Sequence, residues 1–263
     1  MPDMAHNGRG ATVRYLNLIK NVSNWHVHLM QKAGINRNDP LLFTARNGVS
    51  FEVPKRLYHE FKEIFMENAY SIGLKKKLRK NPVILDIGAN VGFFTMFAVS
   101  QYPGCTIYSY EPIAANFVQL IRNRELNSAQ NIQCVNKAVC GYCGAVTMNY
   151  DETDAFTTSA TIVGSKSDTH AIEIECVALA DIFHDHSIEY CDLLKLDCEG
   201  AEYDILYNAP KELLGRIDQM AIEMHGGRQE GETPASLKRY LSSLGFCLFQ
   251  YADKPHMLWV YRS

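Results

Sequence analysis

No apolar run in this chain approaches the ~20 residues that a membrane-spanning helix needs, so no such span is expected. Basic charge is not in excess either. Lysine and arginine number 26 against 29 aspartate and glutamate, a formal net charge of −3, whereas a general nucleic-acid binder is usually basic. Internal repeats and low-complexity stretches are absent, which excludes repeat arrays and makes disorder unexpected. The eight cysteines are scattered, and only Cys140 and Cys143 have C-x-x-C spacing. No second pair or His-x-His partner follows at zinc-finger distance, which disfavours a thiol metal site and leaves reduced thiols as the default. Cys134, Cys176 and Cys191 lie inside apolar strand-like runs, where a thiol behaves as a small hydrophobe. The first ten residues are polar and Gly-rich, unlike a signal peptide, so the expected location is the cytoplasm.

What the chain does have is enough apolar content for a sizeable core, 47% hydrophobic against 21% charged residues. Its 263 residues suit one large α/β domain, or a domain with a small appendage. Val13, Leu16, Ile19, Val22, His26, Leu29 and Met30 recur at helical spacing and predict one amphipathic helix over 11–33. Segments 41–46 and 49–53 flank Asn47-Gly48, a strong hairpin signal. Leu57, Phe61, Ile64, Phe65 and Ala69 predict a second helix over 55–69. The basic run Lys75-Lys76-Lys77-Leu78-Arg79-Lys80 reads as a solvated linker in preference to an RNA or lipid contact. Residues 1–80 therefore read as an N-terminal cap of helix, hairpin and helix, and residues 81–263 as the main domain.

From 83 onward strand and helix patterns alternate. Strands are predicted at 83–87, 105–110, 131–136, 191–196, 218–224, 246–251 and 256–261, and helices at 91–101, 114–126, 200–207 and 234–244. Alternation with apolar strands implies a parallel sheet covered on both faces. The last two strands differ, because Ala252-Asp253-Lys254-Pro255 is too short for a parallel crossover and forces an antiparallel pair. Segment 170–177 alternates and is expected to pair with 144–150 outside the main sheet. Between them, 151–169 is rich in Thr, Ser and Asp and reads as a mobile lid or an ordinary surface loop.

The stretch VILDIGANVGFF, residues 83–94, combines a buried strand, a glycine turn and a helix start. That arrangement lets backbone N–H groups approach a nucleotide-like ligand. Its spacing, D-x-G-x-N-x-G, is not the G-x-G-x-x-G of dinucleotide enzymes. Ligands of open parallel sheets bind beyond the carboxyl ends of the strands. Those ends carry Asp86, Gly88, Asn90 and Gly92; Glu111 and Pro112; Asn136, Lys137 and Ala138; Asp197, Cys198 and Glu199; and Glu223 and His225. Glu111 follows Asp86 by 25 positions, where an acidic side chain can accept both hydroxyls of a ribose. Singly, each has a plain structural reading: Asp86 as a helix cap, Glu202 in a first helical turn, His225 as a satisfied histidine. Five consecutive polar strand ends together point to a site.

These residues resemble the FkbM family of class I S-adenosylmethionine-dependent methyltransferases. The matching pieces are DIGANVGFFT (86–95), YEP (110–112), KLDCEGAE (195–202) and EMHG (223–226), with Tyr70 similar to a position in the family's N-terminal part. The first 40 residues match nothing in it. The resemblance implies a Rossmann-like, mostly parallel seven-stranded sheet with an antiparallel last strand and helices on both faces. It also implies that residues 86–92 hold the methionine part of S-adenosylmethionine, with Phe93 and Asp197 adjoining. Glu111, with Pro112, is implied at the ribose, and Asn136, Lys137 and Ala138 beside the adenine.

Methyl transfer from a sulfonium needs positioning and a nucleophile freed of its proton. The Asn/Asp-Pro-Pro-aromatic motif of nucleobase-amine methylases is missing at 197–200, which argues against DNA amino-methylation. The leading expectation is O-methylation of a small-molecule or sugar hydroxyl. His225 is the candidate base, with Asp197 or Glu223 orienting it or holding the acceptor. Alternatively, Asp197, Glu199, Glu223 and His225 bind a divalent cation such as Mg²⁺ that acidifies the acceptor hydroxyl. Other readings are N-methylation of a small amine and a cofactor- or partner-binding protein without catalysis. A nicotinamide dehydrogenase is disfavoured by the glycine spacing and the terminal hairpin.

Overall fold

In the computed structural model, which describes residues 5–127, 131–150, 161–162, 170–227 and 229–263, the chain begins with helices α1 (Ala5–Asn21) and α2 (His26–Lys32). A hairpin of β1 (Leu41–Thr44) and β2 (Ser50–Val53) follows, then a 3-10 turn at Lys55–Leu57 and helix α3 (Tyr58–Phe65). The single helix predicted over 11–33 is thus two. Val22 bridges Ala45 of the hairpin. The Asn24 side chain accepts from the Thr44 N–H at 2.8 Å and donates to the Leu42 carbonyl at 3.0 Å. These tertiary partners capture the backbone where the helical period would have continued.

The rest of the chain runs β3 (Val83–Ile87), α4 (Phe93–Gln101), β4 (Thr106–Tyr110), α5 (Ala114–Glu125), β5 (Ile132–Val135), β6 (Ala138–Cys140), β7 (Gly144–Tyr150) and β8 (Thr161–Ile162). It continues through β9 (His170–Ala178), α6 (Leu179–Asp185), β10 (Cys191–Leu196), α7 (Glu202–Asn208), α8 (Lys211–Leu214), β11 (Ile217–Glu223), α9 (Pro234–Ser243), β12 (Cys247–Phe249) and β13 (Met257–Tyr261). The main sheet has the order β12-β13-β11-β10-β3-β4-β5. Its strands are parallel except β13, which lies antiparallel between β11 and β12. This is the Rossmann-like sheet with an antiparallel last strand. Strand order reverses between β3 and β10, where such sheets place their ligands. Helices α6 and α8, of seven and four residues, add to the helices predicted from sequence. Strands β7 and β9 pair antiparallel in a separate four-stranded sheet with β6 and β8, as expected. Apart from Thr161–Ile162, the segment read as a lid or loop lies outside the described residues.

Burial explains the apolar strands. Every residue of β10 is buried, and all but the first of β3 and β4. Ile84 and Ile107 face one core, and Leu85, Ile87, Leu194 and Leu196 face the other. In the first core the Phe43 and Phe61 rings stack at 4.3 Å and Phe51 and Phe65 at 4.5 Å, while Phe97 of α4 meets Phe65 edge-on at 5.5 Å. Helix α4 is buried from Phe93 to Val99 because the N-terminal elements cover the side turned away from the sheet. The hairpin, α3 and the sheet therefore share one core.

The basic run is exposed at Lys75, Lys77, Arg79 and Lys80, as a solvated segment would be, but it is also tied to the sheet. Arg79 donates from Nε and Nη2 to the buried Asp192 carboxylate at 2.6 and 2.8 Å. Lys76 Nζ lies 2.6 Å from Asp218, and the Lys75 and Lys76 N–H groups donate to Gln219 Oε1. The run is fastened to β10 and β11 by charge-assisted bonds. Among the described residues no helix is long and apolar enough to cross a membrane.

Candidate active site

The turn between β3 and α4 places Gly88, Asn90 and Gly92 in the left-handed region, at φ +74°, +50° and +89°. This folding brings the Gly88 and Ala89 N–H groups to the Tyr110 carbonyl at 3.0 and 2.9 Å, and the Asn90 N–H to Glu111 Oε2 at 2.8 Å. A Cβ on Gly88 would lie 1.8 Å from the Asp197 carbonyl oxygen, so only glycine fits there. Glu111 is buried, and its Oε1 accepts from the Ile113 N–H at 2.9 Å. Burial raises its pKa to about 7 against the lowering effect of those donors.

Beneath the turn, Lys195 of β10 lies beside Asp86 of β3 in the parallel register. Its ammonium is 3.3 Å from Asp86 and 3.5 Å from Asp197, and it donates to the Gly88 carbonyl at 2.6 Å. Asp86 also accepts from the Thr95 hydroxyl at 2.6 Å. Asp86, expected at the cofactor, is therefore fully buried and acts on the turn through Lys195. Gly92 caps the start of α4. Asn136 is exposed and donates to the Glu111 and Pro112 carbonyls at 2.8 and 3.0 Å.

Two clefts open above the carboxyl ends of the strands. The smaller, about 630 Å³, is lined by Gly88, Asn90, Glu111, Pro112, Lys137 and Ala138 among others. The larger, about 970 Å³, is bounded by Tyr70, Phe93, Glu223 and His225, and by Glu60, Glu63 and Glu67 on the α3 side. Gly88, Asn90, Asp197 and Glu199 border both, so the clefts meet there. At this junction Asn90 Oδ1 is buried without a hydrogen-bond partner.

Tyr70 closes the larger cleft. Its hydroxyl lies 2.7 Å from Asp197 Oδ2 and 3.0 Å from Glu223 Oε2, sharing one proton between two carboxylates. Burial and then the Asp197 charge raise the Glu223 pKa to about 7. His225 Nδ1 lies 2.9 Å from Glu202, and Nε2 lies 3.9 Å from Glu199. Burial opposes the imidazolium, but Glu202, Glu199 and Asp197 outweigh it and raise the His225 pKa to about 9. Glu202, in the first turn of α7 as expected, is fully buried. It also accepts from the Cys198 and Gly200 N–H groups at 2.8 and 3.0 Å, tying the 197–200 turn to His225.

Asp197, Glu199, Glu223 and His225, the alternative cation ligands, are engaged by Tyr70, Lys195, Glu202 and one another. Among the described residues no three His, Cys, Asp or Glu side chains are arranged to hold a metal ion. The divalent-cation alternative thus finds no ligand set. Lys195 and Glu202 organise the site from inside the KLDCEGAE run, Lys195 within β10 and Glu202 at the start of α7, so neither stands just beyond a strand end. The carboxylates at 60, 63 and 67 had a usable signal, since those positions repeat on one face of the helix predicted over 55–69, although α3 itself ends at Phe65.

A family model described as Methyltransferase FkbM domain matches residues 86–248. Methyltransferase 1 of Beauveria bassiana is 26% identical over 204 residues, covering 71% of this chain and 80% of that protein. The 31-O-demethyl-FK506 methyltransferase FkbM of Streptomyces tacrolimicus is 27% identical over 191 residues, covering 63% and 73%. Among solved structures, Methyltransferase FkbM from Methylobacillus flagellatus KT shares the fold, with a TM-score of 0.52 at 14% identity. That superposition covers 98% of this chain, which spans only 60% of the solved one. The family match runs over more than half of the sequence, from Asp86 under the glycine turn to Leu248 in β12, and this chain belongs to the FkbM methyltransferase family.

Proposed function

We propose that the protein is an S-adenosylmethionine-dependent O-methyltransferase acting on a hydroxyl of a small molecule or sugar. The observation that carries this reading is the junction of two clefts at Asp197, beside the Tyr70–Glu223 hydrogen bond. The smaller cleft suits the cofactor. It offers the buried Glu111 carboxylate to ribose hydroxyls, the unpartnered Asn90 Oδ1 to a donor, and Lys137 and Ala138 beside a base. S-adenosylmethionine, when bound, supplies an electrophilic methyl group on a sulfonium.

The larger cleft would take the acceptor. An imidazole with a pKa of about 9 already carries its proton at neutral pH, so the base role expected of His225 passes to Glu223. With a pKa of about 7, Glu223 is substantially ionised near neutrality and still basic enough to take a proton. Tyr70 orients the carboxylate, and the His225 imidazolium balances charge beside it. A second reading, N-methylation of an amine, is favoured by the carboxylates at Glu60, Glu63 and Glu199, which would stabilise positive charge developing on nitrogen.

Isotope-labelled S-adenosylmethionine offered with panels of alcohols and of amines, read by mass spectrometry, tests both readings. Labelled ether products support the first and labelled amines the second. Tight binding of S-adenosylhomocysteine by calorimetry without turnover on either panel would favour a cofactor-binding protein instead.

A further inference from the structure

Arg14, Lys32 and Lys62 converge on a hollow of about 810 Å³ between α1, α2 and α3, walled also by Tyr15, His28 and Tyr58. Helix α3 separates it from the acceptor cleft: Lys62 lines the hollow, while Glu63 and Glu67 line the cleft. The methyl-transfer reading makes no use of this hollow.

Its charges are unbalanced. Arg14 is paired with Glu67 at 3.3 Å. Lys32 and Lys62 have no carboxylate within 4.0 Å among the described residues. Lys32 instead donates to the Tyr15 hydroxyl at 2.9 Å, and Lys62 stands 5.7 Å from the Tyr58 ring centre. His28 adds no charge, since burial and then Lys32, Lys62 and Arg14 push its pKa down to about 4. Gln31 also lines the hollow, and its Oε1 is buried without a hydrogen-bond partner.

We propose that this hollow binds a hydroxyl-bearing phosphate monoester, its dianion between Lys32 and Lys62 and one hydroxyl donating to Gln31 Oε1. Two uncompensated ammonium groups match the two charges that a monoester concentrates on one group. A bare anion would leave Gln31 unsatisfied, because a carbonyl oxygen needs a donor. A free sugar phosphate and a phosphorylated lipid headgroup share this chemistry.

Calorimetry at low ionic strength with glucose 6-phosphate, and with glucose alone, tests the free form. Vesicles of phosphatidylcholine with and without phosphatidylinositol 4-phosphate test the lipid form by co-sedimentation. We expect saturable binding in at least one phosphorylated arm and none in its unphosphorylated control. Lys32→Met and Lys62→Met should each weaken that binding about tenfold, while S-adenosylhomocysteine affinity stays unchanged and shows the fold intact. The bound phosphate should raise the His28 titration above its free value in NMR, since an anion favours imidazolium. Absence of saturable binding in both phosphorylated arms, or binding indifferent to both lysines, would overturn the proposal.

Discussion

The Lys195 ammonium lies 3.3 Å from the Asp86 carboxylate, and neither side chain is more than 3% exposed. Burial disfavours the lysine charge, yet Asp86 and Asp197 outweigh it and hold its pKa above the usual range. Removing one partner strands the other. Lys195→Met should cost about 3–5 kcal/mol in urea unfolding, because Asp86 is left charged in the core. Adding Asp86→Asn should restore part of that loss. A Lys195→Met protein as stable as the parent would refute this account of the pair.

Gly88→Ala should damage the cofactor cleft specifically. The residue sits at φ +74° and its Cβ would meet the Asp197 carbonyl at 1.8 Å, so the turn and the 197–200 segment must separate. S-adenosylhomocysteine affinity, measured by calorimetry, should fall by about tenfold or more. Gly226→Ala, whose Cβ meets nothing within 4 Å, serves as the control and should bind normally.

Glu111→Ala should likewise weaken S-adenosylhomocysteine binding by about tenfold or more, since the Asn90 and Ile113 N–H groups lose their acceptor. In the unaltered protein the affinity should improve as pH rises through about 7, where burial has placed the ionisation of Glu111. A pH-independent affinity across that range would argue against a ribose contact through the anion.

The rate should follow a bell in pH. It rises through about 7 as Glu223 loses its proton and falls through about 9 as His225 loses its own. Glu223→Gln should lower kcat by about 100-fold or more while cofactor affinity holds. His225→Asn should lower the rate, abolish the alkaline limb and move the acid limb to higher pH, since the imidazolium lowers the Glu223 pKa. Wild-type turnover in Glu223→Gln would return the base role to another residue.

Tyr70→Phe keeps the ring against Phe94, 5.3 Å away and edge-on, so the fold should persist. It removes a hydrogen bond that lowers the Glu223 pKa. The acid limb of the pH–rate profile should therefore move to higher pH. An unmoved limb would show that the titrating group is not the one Tyr70 touches.

Local chemistry was readable in the chain itself. VILDIGANVGFF declared a strand, a left-handed turn and a helix, since an apolar run, the glycines at 88 and 92 and a helical period act on their immediate neighbours. The short link before β13, residues 250–256, declared an antiparallel pair for the same reason. Partners of charge were not readable. Arg79 finds Asp192 across 113 positions and Lys76 finds Asp218 across 142, while the uncharged Asn24 interrupts a helical period to bind Thr44. An acid at a strand end looked like a ligand contact until register put Lys195 beside Asp86 and buried both. His225 reads as a base in the chain alone, whereas in the fold Glu202, 23 positions earlier, pairs with it and raises its pKa. Backbone conformation follows from neighbours in sequence, which the chain determines alone. The ionisation of a buried group follows from neighbours in space, and those were decided by strand order and register in the folded sheet.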